Sequence, residues 1–196
     1  YALTVFWRSI GVIPEIVMGH SIGEYAAAVT ANIMSLEDAV KLVSIRGRLM
    51  DSAPGIGGMG TIFAKEEEVE ALIESYGNEV SIAAQNTEET CVISGNLQTV
   101  EEILETAGKK GIRVKKLKVS HGFHSPLMEP ILNDFQVIAS EITYQLPTIR
   151  FVSALYTEEM NDEKLIDASY WTSHIRNKVN FYKSIKNMKH GDEYFY

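Results

Sequence analysis

A serine set between glycines, an arginine on an apolar stripe and two histidines three residues apart are the side chains here that packing explains least well. Gly19-His20-Ser21-Ile22-Gly23 is a Gly-x-Ser-x-Gly sequence. On a tight turn from strand into helix, its serine hydroxyl stands at a helix N-terminus, where unpaired N–H groups and the helix dipole favour negative charge. Ser21 is a candidate nucleophile, although a glycine-flanked N-cap serine has the same local appearance. Such a nucleophile needs a base. His121 and His124 lie in Val119-Ser120-His121-Gly122-Phe123-His124-Ser125-Pro126, just before a proline suited to a first helical turn. His20 adjoins Ser21, but its side chain should diverge, and His174 and His190 sit in polar surroundings that read as surface. No cysteine or carboxylate cluster accompanies the histidine pair, so no metal site is expected. Arg46 falls between Val43 and Met50 on an apolar helical face, where a guanidinium needs an anion. That anion is either a structural carboxylate such as Glu24 or the carboxylate of a substrate.

The elements that must position these groups follow from apolar spacing. A strand ends at Glu15–Met18 and a helix covers Glu24–Ala31. Ser35-Leu36-Glu37-Asp38 starts a second helix with Leu36, Ala39, Val40, Val43 and Met50 on one face. The middle reads strand Gly60–Ala64, helix Glu66–Tyr76, strand Val80–Ala84, strand Cys91–Ser94, helix Leu97–Ala107 and strand Ile112–Val119. That β-α-β-β-α-β order is ferredoxin-like. Gly55-x-Gly57-x-x-Gly60 has dinucleotide-fingerprint spacing but follows a helix and enters a strand, the reverse of the required order, so it reads as a hinge. The expected class is α/β: a large lobe formed by 1–57 and 120–196, a small lobe inserted at 58–119, and a cleft between them.

The 196 residues carry 45% apolar side chains and a net charge of −8, which supports a real core and argues against nucleic acid. The run Lys109 to Lys116 alternates like an exposed strand edge, and it would also suit an acidic partner. One cysteine, Cys91, excludes an internal disulfide and fits a reducing, cytoplasmic setting with a buried thiol. No stretch is long enough to span a membrane. The chain opens at Tyr1 within an apolar helical pattern (Leu3, Phe6, Trp7, Ile10) and stops as a strand begins at Gly191–Tyr196. It therefore reads as a piece of a larger enzyme or megasynthase.

Three separated motifs resemble the acyltransferase family, which covers malonyl-CoA:acyl carrier protein transacylases and the acyltransferase domains of polyketide and fatty acid synthases. They are Gly19-His20-Ser21-Ile22-Gly23-Glu24, Arg46-Gly47-Arg48-Leu49-Met50 and His121-Gly122-Phe123-His124-Ser125-Pro126-Leu127-Met128. Tyr170-Trp171 and Val179-Asn180-Phe181 are similar to a later stretch of the polyketide synthase branch. The resemblance implies an α/β-hydrolase-like large lobe carrying a ferredoxin-like small one, with the family's N- and C-terminal parts missing. It implies Ser21 as nucleophile, His124 as base, the Ile22 N–H as half of an oxyanion hole, and Arg46 as the partner of a malonyl carboxylate. The other oxyanion donor belongs in the family to a Gly-Gln-Gly-rich segment absent from this sequence. Backbone carbonyls, expected from segments partly outside it, orient the histidine. His20, Met50, Asn86, His121, Gly122 and Phe123 complete the expected substrate pocket. His121-Gly122-Phe123-His124 resembles the malonyl-selective form, with Phe123 filling the space of an α-methyl group and Ile22 pointing the same way.

The implied activity is malonyl transfer from malonyl-CoA through a seryl ester to the phosphopantetheine thiol of an acyl carrier protein, with no bound cofactor and a neighbouring ketosynthase. A serine thioesterase that edits carrier-bound acyl groups would share Ser21 and His124 without needing Arg46. A non-catalytic carrier-docking module would need none of the three.

Overall fold

The chain passes twice through one small sheet and builds a second one in between. The structure, a computed structural model, describes residues 1–161 and 166–188. His190 and the strand expected at Gly191–Tyr196 lie outside the described residues.

The first sheet holds β1 (Ile16–Met18), β6 (Arg150–Ser153) and β7 (Glu158–Glu159). β1 runs parallel to β6 with Val17 opposite Phe151, and β6 is antiparallel to β7. Around it lie α1 (Ala2–Ser9), α2 (Gly23–Thr30), α3 (Leu36–Ser52), α6 (Leu132–Ala139), α7 (Ala168–Arg176) and α8 (Phe181–Asn187). Tyr25, Leu42, Phe135, Phe151 and Trp171 fill the core beside it. Each large apolar side chain so buried contributes about 1.5–3 kcal/mol.

The second sheet is wholly antiparallel. It contains β2 (Gly57–Ile62), β3 (Val80–Thr87), β4 (Thr90–Asn96) and β5 (Val114–Lys116) in the spatial order β3-β4-β2-β5. α4 (Glu66–Ile73) follows β2, and α5 (Leu97–Lys109) follows β4, with Asn96 capping α5 by accepting from the Gln98 and Thr99 amides. Ile62, Val69, Ile93, Val100 and Ile103 form a separate core beneath it. Cys91 is buried there, and burial pushes its thiol up to about 11, so it is an unreactive packing group.

Several boundaries differ from the periodicity. The helix after β2 ends at Ile73 and tightens into a 3₁₀ turn, with Gly77 at φ +55°. β3 runs on to Thr87 and so includes Asn86. Lys109 closes α5, so only the end of the basic run is strand. In α3 the buried stripe is Ala39, Leu42, Arg46 and Met50, while Leu36 and Val40 are exposed. Ser35 caps that helix by accepting from the Asp38 amide at 3.0 Å. The glycine run is no free hinge. β2 begins at Gly57, where an added Cβ would strike the backbone of His121 and Gly122. A side chain there would force the strand away from the histidine loop.

Glu24 joins the Ser21 turn to the rest of the first layer. It is fully buried in the first turn of α2. One oxygen accepts from the Ala154 amide and the other from the Tyr170 hydroxyl, both at 2.6 Å. His174 Nε2 lies 3.1 Å from Glu24 Oε2 and is 3% exposed, which corrects the reading of His174 as a surface residue. Glu24 is thereby committed to β6 and α7, and it is not the partner of Arg46. Removing one member of such a buried polar set strands the others. Glu24→Ala is therefore expected to lower the unfolding free energy by about 3–5 kcal/mol in urea denaturation. A loss below about 1 kcal/mol would show that water replaces the carboxylate.

Candidate active site

Ser21 sits on the turn between β1 and α2 with φ +50°, a left-handed conformation that costs a non-glycine residue energy and persists only where packing enforces it. Gly19 allows the turn to close, because a Cβ there would collide with the backbone of Gly23 and Glu24. Gly23 faces open space, so of the two flanking glycines only Gly19 is required for close approach. The turn points Ser21 Oγ at the second layer. Ile22 follows as the N-cap of α2, and among the described residues its N–H donates no hydrogen bond, so it is free to meet an oxyanion.

His124 arrives on the chain that leaves β5. Ser125 caps the 3₁₀ turn Pro126–Ile131 by accepting from the Leu127 amide, with Pro126 in its first turn. His124 also has a left-handed backbone, at φ +56°. Its Nε2 is 2.7 Å from Ser21 Oγ, and its Nδ1 is 2.9 Å from the Asn177 carbonyl oxygen. A carbonyl only accepts, so Nδ1 carries the proton and the Nε2 lone pair faces the serine hydroxyl. The orienting carbonyl lies within this chain, at the C-cap of α7. Burial above all, then the electrostatic influence of nearby His174 and Arg46, push the His124 ring down to about 3, against the opposing pull of the Asn177 carbonyl. The imidazole is neutral near pH 7 and available as a base.

Arg46 enters from α3. Its Nη2 donates to Ser21 Oγ at 3.1 Å, so the hydroxyl receives one hydrogen bond while offering its own proton to His124. The residue is 7% exposed, and its Nε has no hydrogen-bond partner. Among the described residues, no carboxylate lies within ion-pairing distance of it. Burial pulls the guanidinium down from its ordinary value, but an arginine remains charged at physiological pH.

A cleft of ≈ 460 Å³ opens over the three groups, between the two sheets. His20, Ile22, Met50, Asn86, His121 and Phe123 all line it. His20 Nε2 is 2.8 Å from Asn86 Oδ1 across the rim, and the rings of His121 and Phe123 stack at 5.8 Å. Gly122 does not line the cleft, which corrects its place among the pocket residues. A Cβ on it would press on the Gly95 carbonyl and the Leu127 side chain, so it is a packing position beneath the loop. The farther wall is apolar, built from Met59, Ala83, Ala84, Val92, Leu117 and Val179. A larger cavity of ≈ 530 Å³ under α1 is lined by no titratable side chain and has no chemistry to offer. Among the described residues, no cluster of His, Cys, Asp and Glu could hold a metal, and no helix is long and apolar enough to cross a membrane.

The model of the acyl transferase domain matches residues 1–195. The chain belongs to the acyl transferase domain family. The chain is 43% identical over 94% of its length to polyketide synthase GfsA of Streptomyces halstedii, of which it covers 2%. It superposes with a TM-score of 0.89 on the acyltransferase domain from the second module of the salinomycin polyketide synthase, at 44% identity, covering 94% of this chain and 43% of that one. The malonyl CoA-acyl carrier protein transacylase of Clostridium perfringens gives 0.89 at 30% identity, over 95% of this chain and 60% of that one. The chain thus spans less than two thirds of each of these relatives.

The geometry of the base sets the pH response. Protonation of His124 would remove the lone pair that faces Ser21, and its depressed value confines that event to acid pH. Labelling of Ser21 by a serine-directed fluorophosphonate is expected to hold steady from about pH 8 down to about pH 5. A half-maximal rate near 6.5, the ordinary histidine value, would contradict a buried neutral base.

Proposed function

We propose that this chain moves a malonyl group from malonyl-CoA, through an ester on Ser21, to the phosphopantetheine thiol of an acyl carrier protein. The observation that carries the reading is the convergence on Ser21 Oγ of a neutral histidine and a buried arginine without an anion. His124 Nε2 takes the hydroxyl proton as Oγ attacks the thioester carbonyl. The oxyanion forms against the Ile22 N–H, in a class of interaction worth roughly 3–4 kcal/mol per donor. The tetrahedral centre collapses, the CoA sulfur leaves, and His124 returns the proton to it. A carrier thiol then gives its proton to His124, attacks the ester, and regenerates Ser21 in ping-pong order.

Arg46 distinguishes this reading from an editing thioesterase. Its free Nε and a terminal nitrogen can hold a carboxylate through two parallel hydrogen bonds. Once bound, that carboxylate offsets the guanidinium field at His124, so a malonyl substrate would strengthen the base that acts on it. Phe123 on the cleft wall supports a preference for malonyl over methylmalonyl groups, a discrimination of about 1–3 kcal/mol per methyl. The transacylase relative supports the same donor by its name. The β-α-β-β-α-β order and the strand order β3-β4-β2-β5 support reading 58–119 as a ferredoxin-like lobe inserted into an α/β-hydrolase-like one formed by 1–57 and 120–196. Membership among polyketide synthase relatives supports a carrier protein and a ketosynthase as neighbours.

Two tests follow. Malonyl-CoA should add one malonyl mass to the natural protein that carries this chain, mapped to Ser21 and lost in Ser21→Ala; label retained in that variant would overturn the nucleophile. In competition between malonyl-CoA and acetyl-CoA, read by intact-protein mass, Arg46→Ala should shift loading toward acetyl by at least about tenfold, a change of about 1.4 kcal/mol. Arg46→Lys should recover only part of the malonyl preference, because an ammonium lacks the planar fork. An unchanged ratio in Arg46→Ala would return the editing hydrolase to favour.

A further inference from the structure

His124 is held from two directions, and both lead to one strand of the other sheet. Its ring is oriented by the Asn177 carbonyl. Two residues on, Val179 forms a parallel bridge to β3: its amide donates to the Ala83 carbonyl and its carbonyl accepts from the Gln85 amide, both at 2.9 Å. Lys178, between them, pairs with Glu66 of the second layer. The β3–β4 register shifts between Ile82 and Ala84, a bulge that leaves the Ala83 carbonyl free of the ladder to receive Val179. The main chain of His124 is held by the same strand. Ser81 Oγ donates to the His124 carbonyl oxygen at 3.0 Å.

The second contact acts where the backbone is strained. A left-handed histidine is strained and relaxes unless its surroundings enforce it. The Ser81 hydroxyl fixes the carbonyl direction that accompanies φ +56°, and hence the direction in which the side chain leaves the chain. Ser81 is not among the cleft residues. It borders instead a separate crevice of ≈ 330 Å³, beside Glu70, Ile73 and Asn177.

We propose that Ser81 is a positioning residue, which holds the left-handed backbone of His124 and so sets the approach of Nε2 to Ser21 Oγ. The proposal rests on His124 being the base that activates Ser21. Its test is a set of four proteins made in the natural protein that carries this chain: parent, Ser81→Ala, His124→Ala and the double variant. The readout is single-turnover formation of the malonyl-enzyme across malonyl-CoA concentrations. Ser81→Ala should slow the limiting rate about tenfold, the worth of one well-placed hydrogen bond, without shifting the half-saturating concentration. Ser81→Thr, which keeps the hydroxyl, should stay closer to the parent rate. In the His124→Ala background the Ser81→Ala change should have no further effect, because the group it positions is gone. Equal slowing in both backgrounds, or a shift in half-saturation alone, would overturn the proposal and mark Ser81 as a general structural residue. A normal rate in His124→Ala would instead overturn the assignment of the base, and the role of Ser81 with it. If Ser81→Ala does not fold, Ser81→Cys, of similar size with a weak donor, takes its place under the same criteria.

Discussion

Arg46 brings its charge inside at the point where Ser21 Oγ and His124 Nε2 also meet, and among the described residues no carboxylate accompanies it. A buried cation without a counter-ion costs several kcal/mol, so its retention implies a purpose beyond stability. The carboxylate that the sequence suggested, Glu24, accepts instead from the Ala154 amide and the Tyr170 hydroxyl, with His174 beside it. What the guanidinium meets directly is the serine oxygen. Burial above all keeps the neighbouring imidazole neutral, and the Arg46 charge adds to that effect. The buried guanidinium thus leaves a demand for an anion in the cleft and reinforces the neutral state of His124.

The rest of the architecture serves to keep that cluster together. Ser21 and His124 each hold a left-handed backbone, at φ +50° and +56°. They reach the same place from different parts of the chain, one from a parallel strand and the other from the loop that returns from the antiparallel sheet. Gly19 and Gly57 allow the close backbone approaches that both turns need. Glu24 locks the serine turn to β6 and α7, and α7 ends at the carbonyl that orients the histidine. The donor at Ile22 is free because the backbone bonds of this turn begin with the next amide, where the Gly23 N–H donates to the His20 carbonyl.

The polar groups with a distinctive residue type or spacing were legible in the sequence. Ser21 stood in a glycine frame that strand-to-helix turns require, Arg46 interrupted an apolar stripe, and His124 preceded a proline that starts a helical turn. The order of elements in the middle of the chain was legible because each has its own period. Contacts made through main-chain atoms were not, since a carbonyl such as that of Asn177 carries no signal in residue type. His174 was misread from its polar neighbours. Its spacing from Tyr170, Trp171 and Ile175 is the i, i+1, i+4, i+5 pattern of a buried helical face, and that pattern places it. Gly122 was read by motif as a pocket residue, while its lack of a side chain serves packing behind the loop.

The most direct test is a crystal structure of the natural protein carrying this chain, trapped after exposure to malonyl-CoA. The ester should lie on Ser21 Oγ, with both oxygens of the free carboxylate within hydrogen-bonding distance of the Arg46 guanidinium, which has turned from the serine to receive them. An ester whose carboxylate faces solvent, with Arg46 Nη2 still on Ser21 Oγ, would contradict the role of the buried charge.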